Sequence, residues 1–176
     1  MIKLKRLLIV VDYQNDFVNG SLGFEDAVRL EDHIVELIQQ YQNNNDEIIY
    51  TLDTHQKNYL ETYEGKNLPI THCIKNSEGW QLYGRVKDLL QNHLCFQKPT
   101  FPSLELANYL VDKEYSDITL VGVVSHICVL SNAIMVKAAQ PETPIYIDLK
   151  GTSSADKEVH QKSIDVMKSM QLIMIE

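Results

Sequence analysis

Runs of apolar residues separated by helix-like segments make up most of this chain. The runs are apolar almost throughout and show no clean alternation with polar residues; they span residues 7–11, 47–52, 93–97, 118–122, 144–147 and 172–175. Strands that are covered on both faces of a sheet have this pattern. Each run therefore predicts a buried strand.

The segments between these runs have the apolar spacing of helices. They span residues 25–43, 103–113, 127–139 and 154–170, and Ser103 can cap the second of them. Strands that alternate with helices predict βαβ crossovers, and hence a parallel sheet with helices on both faces. Residues 53–80 lack such periodicity, and an irregular segment of that length in so small a domain is usually functional.

Length and charge narrow the class of protein. The 176 residues suffice for one well-buried core, so we expect a single domain over residues 1–176. The formal net charge of -8, without a Lys/Arg cluster, argues against a nucleic-acid partner. No apolar run reaches the roughly 18 residues that cross a bilayer, and the N-terminus shows no leader, so we expect a cytoplasmic protein without a membrane partner. Three cysteines without a secretion signal indicate free thiols.

Polar residues stand where the predicted strands end. Asp12, Asp53 with His55, Lys98 and the turn before Cys128 each follow a predicted strand. In an open parallel sheet the reactive groups lie outside the carboxyl ends of the strands. We therefore expect these four strand ends to converge on one crevice.

Cys128 is the candidate nucleophile of this crevice. It falls near a predicted helix start, where the helix dipole favours a thiolate and free backbone amides can hold an oxyanion. If Asp12 and Lys98 meet there, the carboxylate can take the thiol proton while the lysine steadies the charges. The alternatives stay open at this point, because an intracellular cysteine is commonly a small buried hydrophobe. Asp12 alone could cap a turn, and Lys98 alone could be a solvated surface lysine.

A second candidate cluster lies in the irregular segment. Asp53 and His55 form an Asp-x-His pair, His72 follows downstream, and Glu61 and Glu64 lie between them. Such oxygen and nitrogen ligands suit zinc, iron or manganese. Loop histidines are also common as plain surface groups, so spacing alone does not decide.

Several motifs resemble the isochorismatase-like cysteine hydrolases, in particular the nicotinamidase/pyrazinamidase branch. Residues 8–17 (LIVVDYQNDF) resemble the opening motif, and residues 122–129 (GVVSHICV) resemble the nucleophile motif. Residues 51–55 (TLDTH) and 69–73 (PITHC) resemble the metal-binding segment, and Lys98 stands between these motifs where the family has its lysine. The resemblance spans almost the whole chain with its motifs in order.

The resemblance implies a fold and a catalytic triad. The fold is a three-layer α/β/α arrangement of Rossmann-like topology with a mostly parallel sheet of about six strands. The triad corresponds here to Asp12, Lys98 and Cys128. A non-proline cis peptide is implied between Val123 and Val124, which would direct the Val124 N–H, beside that of Cys128, toward an oxyanion.

The resemblance also implies a divalent metal, zinc in the first place with iron or manganese as alternatives. Its ligands correspond to Asp53, His55 and His72, together with a glutamate for which we favour Glu64 over Glu61. Phe17 corresponds to an aromatic wall of the pocket. On this basis the expected activity is hydrolysis of a linear amide C–N bond, that of nicotinamide and pyrazinamide, through a cysteine thioester.

Departures from the family pattern bear on the substrate. Glu61 stands where many nicotinamidases have a third histidine, Pro69 replaces a frequent tryptophan, and Ser125-His126 replaces Thr-Asp before the nucleophile. Pocket walls decide which substrate is accepted, so the alternatives are another small amide or isochorismate. A non-catalytic Rossmann-like binding module is disfavoured, since no Gly-x-Gly-x-x-Gly follows the first strand. The family is commonly oligomeric, and a homo-oligomer stays open here.

Overall fold

A computed structural model describes residues 4–176 and contains a six-stranded parallel sheet. The strands lie in the order β3-β2-β1-β4-β5-β6, and each pairs in parallel with its neighbours. Their bounds are β1 Leu7–Val11, β2 Glu47–Asp53, β3 Leu94–Lys98, β4 Ile118–Val123, β5 Ile145–Ser153 and β6 Ile173–Ile175. The predicted α/β fold with a parallel sheet of about six strands is confirmed.

The helices vary from one turn to thirteen residues. They are α1 Asn15–Val18, α2 Glu25–Arg29, α3 Glu31–Asn43, α4 Tyr63–Asn67, α5 Gly84–Leu90, α6 Leu104–Leu110, α7 Leu130–Ala139 and α8 Lys157–Ser169. A 3-10 turn spans Tyr59–Glu61, and a π-helical turn spans Ser125–Val129. We call the latter the Cys128 turn. Among the described residues, no helix is both long and apolar enough to cross a bilayer.

Both faces of the sheet are covered, as the uniformly apolar runs predict. In β1, Leu8 and Val10 point into one apolar core, whereas Leu7, Ile9 and Val11 point into the other. All five side chains are fully buried. This period of two with apolar residues on both sides is the pattern of a central strand between two helical layers.

Different helices close the two cores. Ile34 and Ile38 of α3 and Val86 of α5 fill the first core. Leu110 of α6 and Met167 of α8 belong to the second core. The outcome is the predicted three-layer α/β/α arrangement.

The contact between β1 and β4 depends on glycine. Gly122 lies opposite Val11 with φ of 117°, a left-handed conformation that side chains rarely adopt. A Cβ at this position would lie 2.0 Å from the carbonyl oxygen of Val11. Glycine thus lets β4 approach β1 closely just before the Cys128 turn.

Helix boundaries are the main differences from the sequence prediction. The helix predicted over residues 25–43 is two helices, because the Leu30 N–H bonds to the carbonyl of Ala27, three residues back, and ends α2. The helix predicted from residue 127 begins as the Cys128 turn, in which the Val129 N–H bonds to the Val124 carbonyl, five residues back.

The other differences lie after β5 and before β3. The strand predicted over 144–147 continues to Ser153, and α8 begins at Lys157 rather than near 154, because the Asp156 side chain accepts from the N–H groups of Glu158 and Val159. Helix α5, over Gly84–Leu90, was not predicted: Val86, Leu89 and Leu90 have helical spacing, but seven residues are too few for periodicity to decide.

Candidate active site

Four neighbouring strands end side by side at the carboxyl edge of the sheet. Asp12 follows β1, Asp53 and Lys98 are the last residues of β2 and β3, and Cys128 lies in the turn after β4. Asp53 and Lys98 lie directly opposite each other in the ladder. The structure therefore brings together the polar groups that the sequence placed at the strand ends.

Lys98 lies at the centre of this group. Its Nζ is 2.5 Å from Oδ2 of Asp12 and 3.7 Å from Sγ of Cys128. The same ammonium is 3.7 Å from Oδ1 of Asp53 and donates to the carbonyl of Thr100 at 3.1 Å. Asp12, Lys98 and Cys128 are 0%, 1% and 5% exposed, so water screens these charges little.

The backbone and Thr51 fix the orientation of Asp12. Asp12 has φ of 48°, which turns its side chain out of the strand direction of β1. Its N–H bonds to Oγ1 of Thr51 at 3.2 Å, and the Thr51 hydroxyl donates to Oδ1 of Asp12 at 2.7 Å. One carboxylate oxygen is thus held by Thr51, and the other faces Lys98.

Burial governs the protonation of these groups. Burial raises the pKa of the Asp12 carboxyl despite the opposing charge of Lys98. Burial also raises the pKa of the Cys128 thiol well above its usual value, with Lys98 opposing this shift and Asp12 adding to it. For Lys98, burial disfavours the ammonium, but Asp12 and the other nearby anions outweigh it and the pKa is raised. These shifts favour a charged lysine and a protonated thiol, and they increase the basicity of the Asp12 carboxylate.

The Cys128 turn presents the thiol at the edge of the crevice. The peptide bond between Val123 and Val124 is cis. The Val124 carbonyl accepts from the N–H groups of Ile127 and Val129, both at 3.2 Å, and the Cys128 carbonyl accepts from the Asn132 side chain at 2.8 Å. The thiol thus lies two residues before α7, in a turn where the carbonyls of Val124 and Cys128 accept hydrogen bonds from the turn and from α7.

Beside this group, four side chains can hold a metal ion. Asp53, His55, Glu64 and His72 each offer one ligand atom, and these atoms lie within 4.8 Å of one another. Nε2 of His55 is 2.9 Å from Oδ2 of Asp53 and 3.5 Å from Oε1 of Glu64. Nε2 of His72 is 3.4 Å and 3.7 Å from the same two oxygens. Glu61, the other glutamate that the sequence offered, is exposed and lies outside this group.

Two imidazoles and two carboxylates fit a divalent cation. Hydrogen bonds from His55 and His72, with the charge of Lys98, outweigh burial and lower the pKa of Asp53. Burial raises the pKa of Glu64, and the neighbouring Asp53 adds to this shift. Two carboxylate oxygens beside two imidazole nitrogens are the donor chemistry of zinc, iron and manganese sites.

Gln14 and Asp16 bond to the backbone at or next to two of these four residues, Asp53, His55, Glu64 and His72, which we call the metal cluster. The Gln14 side chain accepts from the Asp53 N–H at 2.8 Å and donates to the carbonyls of Asp53 and Trp80 at 2.9 and 2.8 Å. The Asp16 carboxylate accepts from the Cys73 N–H at 2.7 Å, next to His72. We did not predict these contacts; the signal available was the run of polar residues directly after β1.

One pocket joins the thiol to the metal cluster. It is a cavity of about 260 Å³. Phe17, His72 and Cys128 are among its lining residues, as are Val124 and His126. The Phe17 ring lies 5.4 Å from that of His72, centroid to centroid, so the aromatic wall predicted at Phe17 adjoins the metal cluster. A mostly apolar cavity with a few convergent polar groups is typical of small-molecule sites.

Comparison with known proteins places the chain in a family. The model of the isochorismatase domain matches residues 6–176. The chain belongs to the isochorismatase family. An uncharacterized isochorismatase family protein of Bacillus subtilis, PncA, is 32% identical over 143 residues, which are 74% of this chain and 78% of that protein.

Two further similar proteins match nearly the full length of this chain. The nicotinamidase of Saccharomyces cerevisiae is 24% identical over 97% of this chain and 99% of that protein. A crystal structure of the nicotinamidase/pyrazinamidase PncA from Bacillus subtilis has a TM-score of 0.86 at 29% identity, over 98% of this chain and 100% of that one. These relatives agree with the branch that the motifs indicate.

Proposed function

We propose that this chain hydrolyses nicotinamide, and also pyrazinamide, to the acid and ammonia. The observation that carries the proposal is a single pocket lined by Cys128 together with Asp53, Glu64 and His72. A ring held at one end of this pocket can present its carboxamide to the thiol at the other. The relatives named nicotinamidase support the same substrate class.

The reaction proceeds through a thioester. Sγ of Cys128 attacks the carboxamide carbon while Asp12 takes the thiol proton, and Asp12 then gives that proton to the departing nitrogen, which leaves as ammonia. Lys98 stays charged throughout and stabilises both the carboxylate and the developing thiolate. The N–H groups of Val124 and Cys128 serve the oxyanion. Water hydrolyses the thioester to the acid and restores the thiol.

Asp53, His55, Glu64 and His72 would hold a divalent metal, for which zinc is our choice over iron or manganese. When bound, the metal supplies a Lewis-acidic anchor for a ring nitrogen. Phe17 packs against the ring beside this anchor. Such an anchor favours a nitrogen heterocycle over the vinyl ether of isochorismate, which offers no ring nitrogen.

An ammonia-release assay on nicotinamide, pyrazinamide and a panel of small amides tests the substrate. We expect release from the first two, and no release from nicotinamide would contradict the proposal.

Cys128→Ala should abolish release, because no other side chain at the strand ends offers a thiol. Cys95→Ala, which removes a half-buried thiol of β3, is the matched control and should leave release unchanged. Turnover by the Cys128→Ala variant would exclude the thioester route.

A further inference from the structure

A hydrogen bond joins the Cys128 turn to helix α8. Oγ of Ser125, the first residue of the turn, is 2.7 Å from Nδ1 of His160 in α8. Ser125 is fully buried, so water does not compete for its hydroxyl. The bond links two segments that are 35 residues apart in the chain.

His160 offers this bond from a well-held position. Its N–H bonds to the Asp156 carbonyl at 2.9 Å, and its own carbonyl accepts from the Ser163 hydroxyl at 2.7 Å. Further along α8, Ile164 and Met167 pack into the hydrophobic core. These contacts fix the backbone from which the imidazole projects, and the Ser125 hydroxyl is the hydrogen-bond partner of the ring itself.

The groups around His160 favour a neutral ring. Burial lowers the pKa of His160, and the positive charges of Lys157 and of a protonated His126 lower it further, whereas Asp26 of α2 opposes them. A neutral ring that carries its proton on Nε2 has a free acceptor at Nδ1. The Ser125 hydroxyl can then donate to it.

The position of Ser125 matters because of its neighbours. It directly follows Val124 and precedes Cys128 by three residues, and these two supply the N–H groups assigned to the oxyanion. No described side chain other than that of His160 is hydrogen-bonded to residues 124–126, where the turn begins. A misplacement of about 1 Å at such a site can cost about 100-fold in rate.

We propose that His160 is a positioning residue that, through Ser125, sets the geometry of the Cys128 turn for the chemical step. This inference rests on the proposed function. Substrate binding depends on the pocket walls and the metal cluster, and the His160 side chain is not among the groups that line the pocket. Loss of the bond should therefore lower kcat and leave KM nearly unchanged.

Two variants of His160 separate the hydrogen bond from the presence of the ring. His160→Leu removes the acceptor, and we expect kcat for nicotinamide to fall about 10- to 100-fold. His160→Asn keeps a polar oxygen near the position of Nδ1, and we expect it to recover most of this loss. Equal losses in the two variants, or none in His160→Leu, would overturn the proposal. His93→Leu, at the opposite end of the sheet, is the control that should keep full kcat.

The bond itself is tested by a double-mutant cycle. Ser125→Ala should lower kcat as His160→Leu does, and the double variant should be no slower than either single variant, because the two act through one contact. Additive losses would contradict the proposal. Thermal unfolding followed by circular dichroism shows which variants fold, and Ser125→Ala carries the test if His160→Leu does not.

A readout that needs no amide substrate keeps this inference separate from the proposed function. The rate at which iodoacetamide alkylates Cys128, measured by peptide mass spectrometry, reports the setting of the turn in the wild-type protein and each variant. We expect His160→Leu and Ser125→Ala to change this rate and His160→Asn to leave it near that of the wild type. Failure to hydrolyse nicotinamide together with this pattern would refute the substrate and retain the positioning role. An identical alkylation rate in all the variants would refute the positioning role.

Discussion

Lys98 and Asp12 form an ion pair with almost no access to water. Their side chains are 1% and 0% exposed, and Nζ of Lys98 lies 2.5 Å from Oδ2 of Asp12. A charge buried this deeply is tolerated because its partner is present, so the removal of one partner is costly. The pair is thus a structural element of the site as well as part of the proposed chemistry.

Replacement of the lysine alone should damage both stability and activity. We expect Lys98→Met to lower the free energy of unfolding by about 3 to 5 kcal/mol, since Asp12 is left as a buried unpaired charge. We expect kcat/KM for amide hydrolysis to fall by about 100-fold or more, because proton transfer through Asp12 is impaired. Urea denaturation and the ammonia-release assay measure the two effects.

The double variant Asp12→Asn/Lys98→Met distinguishes the two roles. It removes both charges, so it should be more stable than Lys98→Met while remaining inactive. If Lys98→Met hydrolysed amide at the wild-type rate, the lysine would have no part in the reaction. If the double variant were no more stable than Lys98→Met, the unpaired carboxylate would not be the cause of the instability.

At the scale of elements, the turn between β1 and α1 supports the end of β2, which carries Asp53 of the metal cluster. Gln14 has no exposed surface, and its side-chain amide donates hydrogen bonds to the backbone carbonyls of Asp53 and Trp80. These bonds fix the end of β2 from which the Asp53 carboxylate projects. Replacement of a group that orients a metal ligand typically costs about 10- to 100-fold in metal affinity.

Replacement of Gln14 should weaken metal binding. Gln14→Met keeps the length of the side chain but leaves the Asp53 N–H and carbonyl without their partner, and we expect the zinc Kd to rise about 10- to 100-fold. Competition against a chromophoric chelator measures this Kd on metal-free protein without any substrate. Gln42→Met, on the exposed side of α3, is the matched control. An unchanged Kd in Gln14→Met would show that the turn does not support the metal cluster.

The sequence predicted most elements because their signals are local. In β1 the apolar run and the polar residue that follows it lie within ten residues, which is enough to predict a strand and a reactive strand end. The continuation of β5 to Ser153 was not predictable, because pairing with β4 at Thr152 and Ser153 decides it. The break at Leu30 was not predictable either, because the apolar periodicity continues through it. Gln14 and His160 were missed for a related reason: each acts on a residue 35 or more positions away.

At the scale of the whole molecule, the order of the strands creates the site. Because β3, β2, β1 and β4 are neighbours, residues from four distant parts of the chain end at one edge. Helix α8 packs against the Cys128 turn and places His160 beside Ser125 and near His126. Burial lowers the pKa of both histidines below the ordinary 6.5. The folded protein therefore favours two neutral rings beside its nucleophile candidate.

These lowered pKa values make the folded state sensitive to acid. Between the ordinary value of 6.5 and the lower folded pKa of His160, the unfolded chain binds the proton more readily, so the stabilisation present above pH 6.5 is lost as the pH falls through that window. His160→Asn cannot titrate. We expect the wild type to lose more unfolding free energy than this variant between about pH 7.5 and pH 5. Urea denaturation with a chelator present, which removes metal loss from the comparison, measures the difference. The difference in unfolding free energy between the two proteins should change with pH. If it were constant, or if the wild type became relatively more stable in acid, His160 would not be held neutral by the fold.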